Sequence, residues 1–310
     1  LLTPFGVNIG LVTSQTKTSG DVIVGTQALL TRDFDCGLII IDEQHKFGVA
    51  QRALLQQKGG TPHVLTMTAT PIPRTMALVL HGDLDLSQLT EMPAGRKTVK
   101  TWVVPEEKRV SAIKWTNDQI IKYASQAFWV CSLIDESESL GAIRAVNTEF
   151  DLLKISFNGL ELGLLHGRMK ANEKDKVIQD FRNKKIDILV STPVVEVGID
   201  IPDASIMVIE DAYRFGLAAL HQLRGRVGRN GQQGYCLLFS TQDTERLKAM
   251  ESTHVGSRLA EIDFEIRGSG NIYSTTQHGS TGLKIATYKD FAMLPLVRKN
   301  LLNLTLNPSP

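Results

Sequence analysis

"LIIIDEQHKFG" (Leu38–Gly48) sets four branched apolar residues directly against two adjacent carboxylates, Asp42 and Glu43, with no turn residue between them. An apolar run this short, rich in β-branched side chains, predicts a buried strand. In an open parallel sheet, ligands gather at the carboxyl ends of the strands. A carboxylate pair at such an end could hold a hydrated metal and activate a water. The same two acids could instead cap a following helix, because carboxylates favour helix N-termini.

The surrounding chain repeats the pattern. Strands are expected at Asp21–Thr26, Gly37–Asp42, His63–Thr70, Thr98–Val104 and Ala127–Ile134, then at Leu162–His166, Ile186–Thr192, Ser205–Asp211 and Tyr235–Ser240. Helix-length stretches lie between several of them, for example Ala171–Asn183, with Val177, Ile178 and Phe181 on one face. Strands alternating with helices predict α/β architecture with mainly parallel sheets. "EMPAGRK" (Glu91–Lys97) has Pro, Gly and no apolar pattern, and reads as a linker. From about Met250 the chain turns polar and helical, then Gly/Ser/Thr-rich.

Composition bounds the rest. The 310 residues are 42% hydrophobic and 22% charged, which is ordinary for a globular protein of two domains. A net charge of +1 provides no global basic field, so any nucleic-acid surface must be local. Cys36, Cys131 and Cys236 are far apart and flanked by apolar residues, suiting buried thiols in a reducing compartment better than a disulfide or zinc site. No apolar run reaches membrane-spanning length, and no basic-then-apolar signal opens the chain. The first residue is Leu1, within what reads as a folded unit, so a part of a longer protein is expected.

Three further motifs carry chemistry. "TATPIPRT" (Thr68–Thr75) places hydroxyls at a strand end before prolines that forbid immediate helix, giving either a polar site loop or a plain turn. In "QLRGRVGR" (Gln222–Arg229), Gln222, Arg226 and Arg229 are spaced by four and three, as on one helical face. Gly225 and Gly228 would each cost such a helix about 1 kcal/mol, so something is expected to approach the backbone there. Guanidinium groups suit a transferring phosphate. "STPVVEVGIDIP" (Ser191–Pro202) runs from a buried strand into Glu196, Gly198 and Asp200, as a site loop or a mere crossover.

Taken in order, "DEQH", "TATPIPR", "LLHGRMK", "VVEVGIDIP" and "HQLRGRVGR" resemble the motor motifs of superfamily 2 helicases. "IDEQHKFGVAQR", "MTATPIPRTMAL", "TEMPAGRK", "FWVCSLIDESE" and "LGLLHGRMKANEK" narrow the resemblance to the RecG-type ATP-dependent DNA helicases of bacteria. The resemblance implies a RecA-like α/β motor with parallel sheets flanked by helices, the first domain partial and the second complete, and ATP with Mg²⁺ as cofactors. It implies that Asp42 positions Mg²⁺, through water, and that Glu43 orients or deprotonates the attacking water. Gln44, His45, Thr68 and Thr70 would couple the nucleotide to DNA. Arg226 and Arg229 would serve as arginine fingers set by Gln222, with Gly198 and Asp200 lining the second domain's side of the site. On this reading the two acids serve a nucleotide rather than a helix cap.

"LAEIDFEIRGSGNIYSTTQHG" (Leu259–Gly279) resembles the family's translocation hairpin and loop, where Arg267 and Gln277 would link motor closure to DNA movement. Ser269, Asn271 and Thr276 stand where the family has Pro, an acid and Arg, and Pro193 where it has Thr. No G-x-x-x-x-G-K-[ST] occurs in the chain, and no N-terminal wedge domain precedes the motor, so a C-terminal part is expected that is inactive alone. The implied divisions are 1–96 (end of motor domain 1), 97–249 (motor domain 2) and 250–310 (hairpin, loop and tail). Implied partners are branched DNA (stalled forks, Holliday junctions) and single-stranded-DNA-binding protein, for a monomer in the bacterial cytoplasm near the nucleoid, away from membranes. A transcription-repair coupling translocase and a non-catalytic DNA-binding remnant are the competing readings. "EQH" and "MPAGR" favour the RecG type over the first, and the intact Asp42, Glu43, Arg226 and Arg229 argue against the second.

Overall fold

The computed structural model describes residues 2–32, 35–43, 62–69, 91–93, 95–132, 139–193 and 201–267, with isolated positions at 85, 87, 89, 293, 296, 297 and 300. Its contacts divide the chain into two units, Leu1–Ala69 and Thr70–Pro310.

The second unit is built on six parallel strands: β5 (Lys100–Val104), β6 (Gln126–Val130), β7 (Leu162–Leu165), β8 (Ile188–Ser191), β9 (Ala204–Ile209) and β10 (Tyr235–Phe239). Their order is β5-β10-β9-β6-β8-β7. Residues alternate between faces along each strand. Phe128, Val130, Leu189, Met207, Ile209 and Leu238 enter one core, and Ala127, Trp129, Ile188, Val190, Ile206 and Val208 enter the other. Helices α1 (Arg109–Tyr123) and α2 (Ser139–Ser156) cover the second face through Ile120, Val146 and Leu153. The first face is covered by α3 (Ala171–Arg182), α4 (Leu217–Arg224), α5 (Glu245–Ser252) and α6 (Gly256–Arg267), through Phe181, Leu220, Leu223, Met250 and Leu259. The exposed edge at β5 is blunted by Glu251 of α5, whose carboxylate accepts the Val103 N–H at 2.6 Å.

This is the α/β architecture expected, a RecA-like parallel sheet flanked by helices. All nine anticipated strands are present, most of them shorter because their polar ends leave the ladder. Helix α3 ends one residue before the anticipated Asn183, and its Phe181 is buried as the pattern required. The division expected at 96/97 follows a stretch, 70–96, of which only scattered residues are described.

The first unit has two parallel pairs, β1 (Ile9–Val12) with β2 (Val22–Gly25) and β3 (Leu38–Ile41) with β4 (His63–Thr66). Strand β1 was not anticipated. Only residues 13–21 join it to β2, fewer than the dozen or so a parallel crossover ordinarily takes. The chain turns back with a Thr13 N–H to Thr16 carbonyl bond of 2.8 Å, then returns along β1 through Thr18 N–H to the Leu11 carbonyl at 2.9 Å. The return path passes directly over Gly10, where a Cβ would lie 2.8 Å from the Ser19 carbonyl carbon and 2.9 Å from the Thr18 oxygen. Gly10→Val should therefore break this crossover, at a cost of about 1–3 kcal/mol or more. Amide exchange at Thr18 and Val22 should accelerate while that at Cys131 in the second unit is unchanged; unchanged protection at Thr18 would refute the account.

One buried charge fixes α4 against its neighbours. Arg224 is only 3% exposed, and its Nη1 donates to the carbonyls of Met250 (2.7 Å) and Thr253 (2.9 Å) at the end of α5. Those are carbonyls that a helix end leaves without intrahelical donors. Its Nη2 lies 3.0 Å from His221 Nδ1, one turn earlier on α4. Arginine can only donate, so Nδ1 accepts and the His221 proton sits on Nε2. Burial, then the positive charges of Arg224, His254 and Arg96, push the His221 pKa down to about 4. A depressed histidine pKa means that the unfolded chain binds the extra proton first. The stabilisation is thus complete above about pH 6.5 and is lost as pH falls toward 4, up to roughly 3 kcal/mol. Melting temperature should drop across that window, and less steeply in His221→Gln, whose amide oxygen accepts without titrating. Parallel curves would exclude His221 as the source.

Candidate functional site

In the first unit β3 delivers its acids at its carboxyl end as the sequence implied, but the expected buried strand is buried on one face only, with Leu38 and Ile40 exposed on the other. Ile39 and Ile41 are buried, Asp42 is exposed just past the strand, and Glu43 is half-buried. Glu43 adopts a left-handed backbone with φ 49°, an uncommon state for a residue with a long side chain. Two bonds hold the turn: Glu43 N–H to Asp42 Oδ1 at 2.9 Å, and Ala69 N–H to Glu43 Oε2 at 3.4 Å. The second joins the acid pair to the segment after β4, where Thr68 lies exposed. Gln44, His45 and Thr70 fall outside the described residues, as does the stretch that a capped helix would occupy.

In the second unit Gln222 lies on α4, half-buried, with its Nε2 lacking an acceptor among the described residues. The expectation that Gln222, Arg226 and Arg229 share one helical face is corrected. Helix α4 ends at Arg224, Gly225 caps it, and Gly228 has φ 69°, so the two arginines leave on a non-helical turn. The glycines therefore do not interrupt a helix. A Cβ on Gly228 would lie 3.1 Å from Gly234 Cα, so the close approach inferred from sequence is made by the chain's own backbone. The turn is pinned by Gly228 N–H to the Ala204 carbonyl (3.2 Å), Arg229 Nε to the Gly225 carbonyl (3.3 Å) and Asn230 Nδ2 to Asp203 Oδ1 (3.1 Å). Burial lowers the Arg224 pKa beneath this turn.

Gly198 and Asp200 lie outside the described residues, as does Gln277. Arg267 is the last residue of α6, its side chain undescribed. The structure thus brings Asp42 and Glu43 close to the segment bearing Thr68, while Gln222 sits in the last turn of α4 and Arg229 bonds the Gly225 carbonyl that closes it. Two arginines went unsingled in the sequence. Arg224 had a signal, because it follows Leu217 and Leu220 at buried-face spacing. Arg96 had none beyond its place in the linker, yet its Nη2 donates to the Gly225 carbonyl at 2.7 Å.

Two oxygen-bearing acids on one turn fit a divalent cation such as Mg²⁺, which keeps several waters and takes only one or two carboxylates. Among the described residues no cluster of three or more His, Cys, Asp or Glu forms a fuller metal cage. Among them also, no helix is long and apolar enough to cross a membrane.

Residues 118–231 match the helicase conserved C-terminal domain. The chain is 46% identical over 291 residues to the ATP-dependent DNA helicase RecG of Streptococcus pneumoniae, covering 91% of this chain and 43% of that protein. It is 46% identical over 288 residues to RecG of Thermotoga maritima, covering 90% and 37%. A structure of RecG bound to a three-way DNA junction superposes with TM-score 0.71 and 38% identity, over 96% of this chain and 41% of that one. Yeast Dbp5 bound to RNA and ADP BeF3 shares the fold at TM-score 0.54 and 16% identity, over 95% of this chain and 74% of Dbp5. The chain spans about two-fifths of the length of the curated relatives it matches. Over about nine-tenths of its own length, the chain is similar to the RecG helicases of these bacteria.

Proposed function

We propose that this chain is part of an ATP-dependent DNA helicase that remodels branched DNA in fork reversal and branch migration. The observation that carries the reading is Glu43, an acidic side chain held in a left-handed backbone at the carboxyl end of a parallel strand, within a chain 46% identical to RecG. Residues 1–96 are proposed as the end of motor domain 1, 97–249 as motor domain 2, and 250–310 as the translocation hairpin and tail. The 310 residues contain no G-x-x-x-x-G-K-[ST], so the phosphate cradle must come from outside them.

Asp42 is assigned to holding Mg²⁺ through water, and bound Mg²⁺ would neutralise charge developing on the phosphates. Glu43 accepts the proton of the attacking water or orients it. Its amide-bonded Oε2 fixes the carboxylate, and the Ala69 bond links it to the segment bearing Thr68. Arg226 and Arg229 stabilise charge on the transferring phosphoryl group, with Gln222 beside them. Gln44, His45, Thr68 and Thr70 carry the signal to DNA, and Gly198 and Asp200 line the second domain's part of the site. Arg267 and Gln277 convert motor closure into DNA movement. Support for that role is that α6, which ends at Arg267, packs on α4 and α5 through Leu259 and Ile262. Partners proposed are stalled forks, Holliday junctions and single-stranded-DNA-binding protein, for a monomer acting at the bacterial nucleoid.

The test uses a hybrid in which this chain replaces the matching part of the S. pneumoniae relative. Glu43→Gln should lower ATP turnover by about 10²-fold or more while nucleotide affinity stays within a small factor, because the carboxylate handles water rather than phosphate. Near-parental turnover would remove Glu43 from this role. Arg267→Ala should retain most ATPase activity yet lose fork unwinding. A fall of both activities in step with melting temperature would reduce Arg267 to a structural residue.

A further inference from the structure

The linker does more than connect. Residues 95–100 lie along the arginine turn 225–234 within the second unit. Gln233 Nε2 donates to the Thr98 carbonyl at 2.7 Å, Lys100 N–H donates to the Gly234 carbonyl at 2.9 Å, and a Cβ on Gly231 would touch the Gly95 oxygen at 3.8 Å. Two guanidinium groups then converge on one oxygen. The Gly225 carbonyl closes α4, at the negative end of the helix, and its two lone pairs can serve two donors. Arg96 takes it through Nη2 at 2.7 Å, leaving Arg229 a longer bond of 3.3 Å through Nε. Burial lowers the Arg96 pKa, and the charge of Arg229 lowers it further. Arg96 Nε and Gln222 Nε2 are both buried without an acceptor among the described residues. The end of α4 is therefore rich in donors and in positive charge.

We infer that Arg96 is a positioning residue for Arg229: it occupies the better share of the Gly225 carbonyl and repels the second guanidinium, turning Arg229 toward an incoming anion. Arrival of a phosphoryl group relieves the repulsion between like charges, so the arrangement favours the charged, bound state. The inference rests on the assignment of Arg229 to the phosphate in the proposed function. The rival account is that Arg96 merely satisfies a helix-end carbonyl, as basic side chains commonly do.

Two measurements separate them. In the 310-residue chain, Arg96→Ala should release the Gly225 carbonyl to Arg229, shifting the Arg229 Nε–H resonance in ¹⁵N-arginine spectra and slowing its exchange. Arg96→Lys, which keeps a cation on that oxygen, should leave the resonance near its original position. In the hybrid, Arg96→Ala should lower kcat for ATP hydrolysis by about tenfold to a hundredfold with KM little changed, as expected when geometry is lost only in the transition state. Arg96→Lys should recover most of it. An unmoved Arg229 resonance, or losses in kcat, KM and melting temperature that run together in both variants, would overturn the positioning role. If Arg96→Ala left kcat unchanged while Arg229→Ala lowered it, Arg96 alone would be misassigned. If Arg229→Ala also left kcat unchanged, the phosphate role of the turn would fall with it.

Discussion

Burial of the six-stranded sheet on both faces is the constraint from which the second unit follows. A parallel sheet needs crossovers; four of the five here run through α1, α2, α3 and α4, which with α5 and α6 cover both surfaces. Strand β6 shows the consequence. All five of its residues are buried, with Ala127 and Trp129 against the α1–α2 layer and Phe128 and Val130 against the α3–α6 layer. Its polar residue, Gln126, is committed by Nε2 to the carbonyls of Phe181 and Ile186 at 2.6 and 2.7 Å. The central strands β6, β8 and β9 leave no face for chemistry, so on the proposed reading polar function falls at strand ends and in the turns beyond them.

On that reading the arginine turn is one such place, and it needs a rigid base. Arg224 provides one by placing a buried charge among carbonyls at the end of α5 rather than beside a carboxylate. An unpaired buried guanidinium would be costly, so α4 and α5 must keep their registry for the charge to remain solvated by those carbonyls. Leu259 of α6 joins the same core as Leu220 and Leu223 of α4. Packed side chains thus run without a break from the base of the arginine turn to the helix that ends at Arg267. Contiguity of this kind supplies a path for coupling.

Legibility in the sequence followed physical simplicity. Buried parallel strands are nearly pure apolar runs, and every such run noted in the sequence is a strand. Helix α3 was legible because Val177, Ile178 and Phe181 keep helical spacing. Strand β1 was missed because Gly10 dilutes "IGLV", and its glycine is explained only by a crossover passing above it. The arginine spacing suggested a helical face, but Gly228 was chosen for φ 69° and for Gly234, a neighbour that no local pattern reveals. Arg96 was read as linker because Pro and Gly mark a connection without saying what the connection lies against. The acid pair was legible because a strand end is a local feature.

Backbone conformation separates the acid pair from ordinary turn chemistry. Among the described residues four non-glycine positions have positive φ: Glu43, Ala124, Lys184 and Asp211. Ala124 directly follows α1 and Lys184 lies just beyond α3, where a left-handed residue ordinarily closes a helix. Asp211 has a short polar side chain that tolerates the left-handed region. Glu43 has neither excuse, since it follows a strand and carries a long side chain. At Gly228 the chain meets the same demand with glycine, the residue that adopts it without strain. Glycine at position 43 would relieve the backbone but remove the carboxylate that reaches the Ala69 amide. A glutamate at a strained position is therefore an argument that its side chain is needed there, and it rests on backbone geometry rather than on any resemblance.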